Sequence, residues 1–382
     1  MKPRENTAPP SQTIVPDKFL DSEGMLIPTN ISKELIAQLA DDHAYPDGRY
    51  KKKELEDLLS QTARPSPAAV NYDVIKLNHQ FFAVFIGKDY SLGKGASGKV
   101  KYLQSLTDSS WHVVKIIPQR KISQHEFQRE VHNLMKAGMG TGGFFRESPS
   151  KGGQYVIVMK HAPGISLDKL LSNENIKLKP DEWLNICRGI LSALDELHQK
   201  ELFHFDIKLD NYIYDPETKT VRLVDLGLAT DIIEGKGHIL SDSVPPNAAP
   251  ECEQPIPPDR ETAEVDYIVT YHSESYAAAA TMLDLLGKEG VIDKEKIPDP
   301  KIRTELQTLL RSMVNADSPE ARPSVKTALN TINHLLQAQQ KLSQPRENRP
   351  QRTGFFTRDR MGNAKARTPD TPAPSADSNK KV

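Results

Sequence analysis

Cysteine is almost missing from this sequence: Cys187 and Cys252 are the only two among 382 residues. That argues against a disulfide framework, excludes a four-cysteine zinc site and points to a reducing compartment. Long apolar runs are missing too. The nearest, "YAAAATMLDLLG", carries Asp284 and is shorter than the roughly 18–20 residues that span a bilayer, so it reads as a buried helix. Neither sign of charge dominates, since 50 Lys and Arg face 51 Asp and Glu for a formal net charge of -1. Such a balance argues against a protein built to coat nucleic acid. The opening "MKPRENTAPPSQ" has early positive charge but no apolar stretch behind it, so it is not read as a secretory signal peptide. The expectation is a soluble, cytoplasmic protein without a membrane span or a nucleic-acid partner.

What is present divides the chain into three parts. Residues 1–71 form an N-terminal extension. Its start is rich in proline and polar residues and is expected to be flexible, and two short helical patterns follow, from Ser32 and from Tyr50. From Tyr72 the pattern turns to strands: "YDVIKL" and "QFFAVFI" are β-branched and aromatic, with "NH" as a turn between them. "KVKYLQ" and "WHVVKII" continue the series. Beyond residue 180 helices prevail. "KPDEWLNICRGILSALDELHQK" has a proline suited to a first turn and an apolar stripe at Trp183, Ile186, Ile190, Leu194 and Leu197. "IRTELQTLLRSMV" and "SVKTALNTINHLLQAQQKL" are further helices. From Ser343 onward the composition is basic and proline-rich, with nine Lys and Arg against four Asp and Glu, as expected of a disordered tail that suits an acidic partner.

Within the strand region, "LGKGASGKVKY" admits two readings. As Gly93-x-x-x-x-Gly98-Lys99 it approaches a P-loop, but Val100 stands where that motif needs a serine or threonine for magnesium. A P-loop also runs straight into a helix whose N-terminus holds the phosphates, and here a strand pattern follows. As Gly93-x-Gly95-x-x-Gly98-x-Val100 the stretch fits a glycine-rich hairpin flap over nucleotide phosphates.

Phosphoryl transfer needs a lysine on the phosphates, oxygen ligands for magnesium and a carboxylate near the acceptor hydroxyl. Lys115 lies in the strand "HVVKII", and Glu130 lies in the helical "EFQREVHNLMK", from which it can pair with that lysine. Taken singly, each reads as an ordinary surface charge. Their order after the glycines changes this, as do three later motifs: "HFDIKLDN" at His204 to Asn211, Asp225-Leu226-Gly227 after an apolar strand, and "AAPE" ending at Glu251. From about residue 85 to 342 the chain resembles the eukaryotic-type serine/threonine protein kinases.

That resemblance implies an α+β, two-lobed protein kinase-like fold, with a kinase domain over 72–342. An N-lobe of antiparallel sheet plus one helix would reach to about residue 160, and a mainly helical C-lobe would span 161–342. It implies ATP and Mg as cofactors and a protein substrate. Asp206 would orient the acceptor hydroxyl, Lys208 would offset charge on the moving group, and Asn211 and Asp225 would bind magnesium. Gly93, Gly95 and Gly98 would let backbone amides approach the phosphates, Leu92, Val100 and Val113 would enclose adenine, and Met159 would lie at the back of that pocket. Glu251 would pair with Arg322.

The chain departs from the family pattern at three places: Phe205 replaces the arginine after His204, Leu226 replaces a phenylalanine, and Glu274 stands where an aspartate is expected. Phenylalanine cannot pair with a phosphate on the segment between Asp225 and Glu251. Activity is therefore expected without phosphorylation there, at Thr230, Ser241 or Ser243, with Phe205 packed against Leu226 or Leu228. Two other readings stand beside the active protein kinase: a small-molecule kinase, whose relatives share the His-x-Asp loop, and a pseudokinase scaffold. Divergent, compact kinases also resemble effectors that some bacteria deliver into host cells, so secretion by a signal not readable here is the alternative to a cytoplasmic location.

Overall fold

The computed structural model describes residues 72–343, with breaks at 78–79, 86–90, 95–97, 106–109, 149–151, 174–175, 242–243 and 253–264. The expectations for the N-terminal extension, for Gly95, for Ser243 and for the tail beyond Ser343 lie outside the described residues.

Seven strands follow from the β-branched and aromatic runs. They are β1 (Tyr72–Leu77), β2 (Gln80–Phe85), β3 (Ser91–Lys94), β4 (Lys99–Ser105), β5 (Trp111–Pro118), β6 (Gly140–Ser148) and β7 (Gly152–Lys160). All pairings are antiparallel, in the order β1-β2-β4-β5-β7-β6 with β3 beside β4. Alternation sends Leu103, Val114, Val156 and Val158 to one face, where they join Ile75 and Phe82 in a core of their own.

The opposite face receives α1 (Gln124–Lys136), whose Phe127 ring stacks on Tyr155 with centroids 4.5 Å apart. Ser123 and Glu126 cap the start of α1 reciprocally: each backbone amide donates to the other's side chain, at 2.6 and 3.2 Å. At Gly143 of β6 an added Cβ would lie 2.7 Å from Val131 Cγ2, so this glycine lets α1 lie directly on the sheet.

Beyond Lys160 come β8 (Ile165–Ser166), α2 (Leu167–Ser172), α3 (Pro180–His198), β9 (Leu202–Phe203), β10 (Tyr212–Asp215) and β11 (Thr220–Leu223). They are followed by β12 (Thr230–Asp231), β13 (Lys236–Ser241), β14 (Val265–Thr270), α4 (Tyr271–Leu286), α5 (Pro300–Val314) and α6 (Val325–Ser343). The expected stripe of α3 is buried, and Leu184, Cys187 and Leu191 widen it, so α3 is a core helix. The "YAAAATMLDLLG" run is likewise buried: Ala277, Ala278, Met282, Leu285 and Leu286 of α4 join the main core. Among the described residues no helix is long and apolar enough to cross a membrane, and both cysteines are buried free thiols.

The molecule is thus α+β and two-lobed, with a sheet carrying α1 on one side of Lys160 and a mainly helical lobe on the other. One feature lies outside the expectation. The helical lobe holds an antiparallel ribbon, β13 with β14, registered from Lys236 opposite Thr270 to Ser241 opposite Val265. "VDYIVT" carries the alternation of a strand, yet its partner lies far upstream, and only the folded chain pairs the two.

Candidate active site

The sheet register gathers the first group of residues. Val100 is opposite Lys115 across β4 and β5, and Val113 is opposite Met159 across β5 and β7. Cross-strand partners share a face, as do residues two apart on a strand, so Val100, Val113, Lys115 and Met159 all project from one side of the sheet. Leu92, half-buried, sits on β3, where Gly93 faces Val100. The residue after Gly98 opens a strand and not a helix, which removes the P-loop alternative. At Gly98 an added Cβ would meet Ile116 O at 2.5 Å, so close approach of β4 to β5 is itself enough to require glycine there. Behind Met159 a cavity of about 310 Å³ reaches Asp225 and is walled by Leu134, Ala137, Ala193 and Leu197.

Lys115 is held from both lobes. Its Nζ donates to Glu130 Oε1 at 2.7 Å and to Asp225 Oδ1 at 3.1 Å. Burial alone would lower the pKa of this ammonium, but Glu130 and Asp225 more than offset it, and the value is raised. The Asp225 side chain is 48% accessible, and Lys115 beside it draws its carboxyl below the ordinary value. Lys115 and Asp225 are therefore both charged at neutral pH.

The loop from His204 to Asn211 lies against Asp225 through Val224. His204 Nε2 is 3.0 Å from Val224 O, and the Val224 amide donates to Asn211 O at 2.9 Å. Asp206 Oδ2 accepts from Lys208 Nζ at 2.7 Å and from Asn211 Nδ2 at 2.9 Å, and Asn211 Nδ2 also donates to Asp206 O at 2.8 Å. With its amide nitrogen committed in this way, Asn211 offers its Oδ1, and Asp225 its carboxylate, as oxygen donors. These are hard oxygen donors, the kind that suits magnesium, which takes few protein ligands and completes its shell with phosphates and water. The chemistry of the set fits the implied ion. Among the described residues no cluster of three or more His, Cys, Asp or Glu offers a metal cage.

Two residues of the site adopt positive φ without being glycine: Phe205 at 66° and Asp225 at 65°. Such backbone costs energy and persists where surroundings impose it. Glu274 imposes it on the first, because its Oε1 accepts the amides of His204 at 2.6 Å and Phe205 at 2.7 Å. Glutamate thus does what was expected of an aspartate, from its longer arm. The Phe205 ring packs with Phe203, Ile239, Ala249, Tyr267 and Val269, its centroid 5.3 Å from that of Tyr267. Of the two neighbours expected for it, Leu228 borders this cluster, whereas Leu226 belongs to the main core. Ser241, counted from sequence among the available hydroxyls, is only 7% exposed. Thr230 Oγ1 donates to His238 O at 3.1 Å. Farther along, Arg322 grips Glu251 with both terminal guanidinium nitrogens, Nη2 to Oε2 at 3.0 Å, and lies over the Tyr276 ring.

The structure thus brings Lys115, Glu130 and Asp225 into one hydrogen-bonded group and Asp206, Lys208 and Asn211 into another, joined through the backbone of Val224. Sequence reasoning missed His198, Arg129, Asn133 and Lys136. His198 Nε2 lies 2.6 Å from Glu274 Oε2. Arg129, Asn133 and Lys136 bond from α1 to the chain after Asp225. A signal existed for the last three: they recur at helical spacing on the turns that carry Glu130.

A sheet lobe and a helical lobe meeting at a lysine, two carboxylates and an Asp-x-x-x-x-Asn loop are the arrangement that two-lobed phosphoryl-transfer enzymes use. The family described as "Protein kinase domain" matches residues 87–341, and the chain belongs to it. It is 28% identical over 262 residues to the serine/threonine-protein kinase Nek4 of Mus musculus, covering 62% of this chain and 31% of that protein. It is 26% identical over 290 residues to the membrane-associated tyrosine- and threonine-specific cdc2-inhibitory kinase of Drosophila melanogaster, covering 71% and 51%. A sperm motility kinase of Mus musculus, in its Tcr mutant form, is 25% identical over 241 residues, covering 62% and 49%. The chain therefore spans about half or less of these relatives. The autoinhibited serine kinase domain of the giant muscle protein titin shares the fold with a TM-score of 0.51 at 17% identity, covering 67% of this chain and 81% of that one.

Proposed function

We propose that this protein kinase transfers the γ-phosphoryl group of ATP, with magnesium, to serine or threonine hydroxyls of protein substrates, and does so without phosphorylation of the segment between Asp225 and Glu251. The observation that carries this reading is Lys115 bonded at once to Glu130 and Asp225, with the Asp206 loop tied to Val224, the residue before Asp225. Every charged group that phosphoryl transfer requires is present and mutually oriented.

In this reading Leu92, Val100, Val113 and Met159 enclose the adenine, and the amides near Gly93, Gly95 and Gly98 meet the phosphates. Lys115 orients the phosphates and Glu130 orients Lys115. Asn211 and Asp225 hold magnesium, which when bound neutralises phosphate oxygens as a Lewis acid. Asp206 orients the acceptor hydroxyl and takes its proton. Lys208, already paired with Asp206, lies where charge grows on the moving group, the arrangement associated with serine and threonine acceptors.

The test is incubation of purified protein with labelled ATP, magnesium and a generic basic protein, beside Lys115→Met, Asp206→Asn and Asp225→Ala. Each variant should lose about two orders of magnitude or more in turnover while remaining folded. Unlabelled substrate with the parent protein would favour a scaffold, and equal turnover in all variants would overturn the catalytic roles of Lys115, Asp206 and Asp225.

A further inference from the structure

Four side chains on successive turns of α1 reach across to the chain that follows Asp225. Arg129 Nη2 donates to Gly227 O at 3.1 Å, Asn133 Nδ2 to Ala229 O at 2.7 Å and Lys136 Nζ to Asp231 Oδ1 at 2.7 Å. His132 Nε2 lies 3.6 Å from Asp231 Oδ2. Arg129, Asn133 and Lys136 stand at i, i+4 and i+7, one stripe of a helix with steps of about 6 and 4.5 Å along its axis. Their partners Gly227, Ala229 and Asp231 run from the helical turn Leu226–Leu228 into the short strand β12. The three contacts follow the same order along helix and chain, and the stripe adjoins Glu130, which holds Lys115.

The contacts differ in weight. Lys136 and Asp231 are both partly exposed, with side chains 28% and 43% accessible, and a pair of that kind contributes little alone. Asn133 is different, because it and Ala229 are buried, at 1% and 0% exposure. Removing its amide would leave the Ala229 carbonyl buried without that donor.

We infer that Arg129, Asn133 and Lys136 are positioning residues that latch α1 onto the chain at Gly227, Ala229 and Asp231, so that Glu130 is held on Lys115 and the segment is ordered without covalent modification. This rests on the kinase reading above and names the device behind its regulation. A modified segment is ordered by a phosphate on a cationic cluster. In this chain Asn133 and the Lys136 to Asp231 pair do that work from the opposite side, with the protein's own carboxylate in place of an added anion.

Two measurements on full-length protein, verified by mass as unphosphorylated, test the latch: hydrogen exchange resolved to α1, with α6 as internal reference, and turnover against KM for ATP. Asn133→Leu should speed exchange in α1 about tenfold relative to α6 and lower kcat by a similar factor, with KM for ATP changed less. Lys136→Asp and Asp231→Lys should each do the same more weakly, and the double variant carrying both should recover toward the parent. Unchanged α1 exchange in Asn133→Leu would overturn the inference, as would a double variant no better than its worse single. Should the parent transfer no phosphate, the kinase reading fails, whereas exchange in α1 still decides whether the latch exists.

Discussion

Glu274 and His198 form a buried pair beneath the loop that carries Asp206, with Oε2 and Nε2 2.6 Å apart. The two side chains come from α4 and the end of α3, and the His198 ring is walled by Phe203 and Tyr271, with centroids 5.5 and 5.0 Å away. Because one Glu274 oxygen is taken by His198, the other is aimed at the amides of His204 and Phe205. Glu274→Ala would leave those two buried amides and the histidine without their acceptor, and Phe205 without the bonds that hold its positive φ. The expected cost is about 2–5 kcal/mol of stability, with a large loss of kcat. His198→Phe keeps both amide bonds and should cost clearly less on both counts. Urea unfolding and initial rates on the same preparations decide it, and equal effects of the two variants would mean that Glu274 acts only as a packed pair with His198.

Replacing Thr230, Ser241 and Ser243 together by alanine should leave activity within a few-fold of the parent. Phe205 is packed into an apolar cluster and offers no cation to a phosphate, and Ser241 is buried within β13. The check is initial rate on protein made without phosphorylation. Activity lost in the triple variant and regained with an acidic residue at one of the three sites would refute independence from phosphorylation.

His161, one residue past β7, is pushed down to about 4 by burial, with the nearby Arg222 guanidinium acting in the same direction. Its unfolded value is about 6.5, so below that pH the unfolded chain binds a proton that the folded chain refuses. The folded state is therefore at no disadvantage from this group above pH 6.5 and loses stability as the pH falls toward 4. His161→Gln should flatten that decline in urea unfolding measured from about pH 7.5 to 4. Parallel curves for parent and variant would show that the histidine titrates normally.

Much of the fold was legible along the chain. Strand and helix patterns are local, so β1, β2, β4, β5, α1, α3, α4, α5 and α6 are legible from residue type and apolar patterning. Lys115, Glu130, Asp206, Asn211 and Asp225 are legible only as a series: singly the charges read as ordinary, and their order, together with the resemblance to protein kinases, picks them out. Less legible was β14, whose alternation was present but whose partner β13 is set by packing around Phe205 and Tyr267. Of the two neighbours expected for Phe205, Leu228 borders its cluster and Leu226 joins the main core.

By itself, the sequence determined which segments become strands and helices and which charged groups stand in the order that phosphoryl transfer requires, because periodicity and short motifs act over a few residues. The tertiary structure decided what the buried polar groups bond to: Glu274 with His198, 76 residues apart, and Asn133 with Ala229, 96 residues apart. A polar group taken out of water must find a partner wherever the fold brings one within about 3 Å, and that proximity is set by helix and sheet packing, which no local spacing encodes.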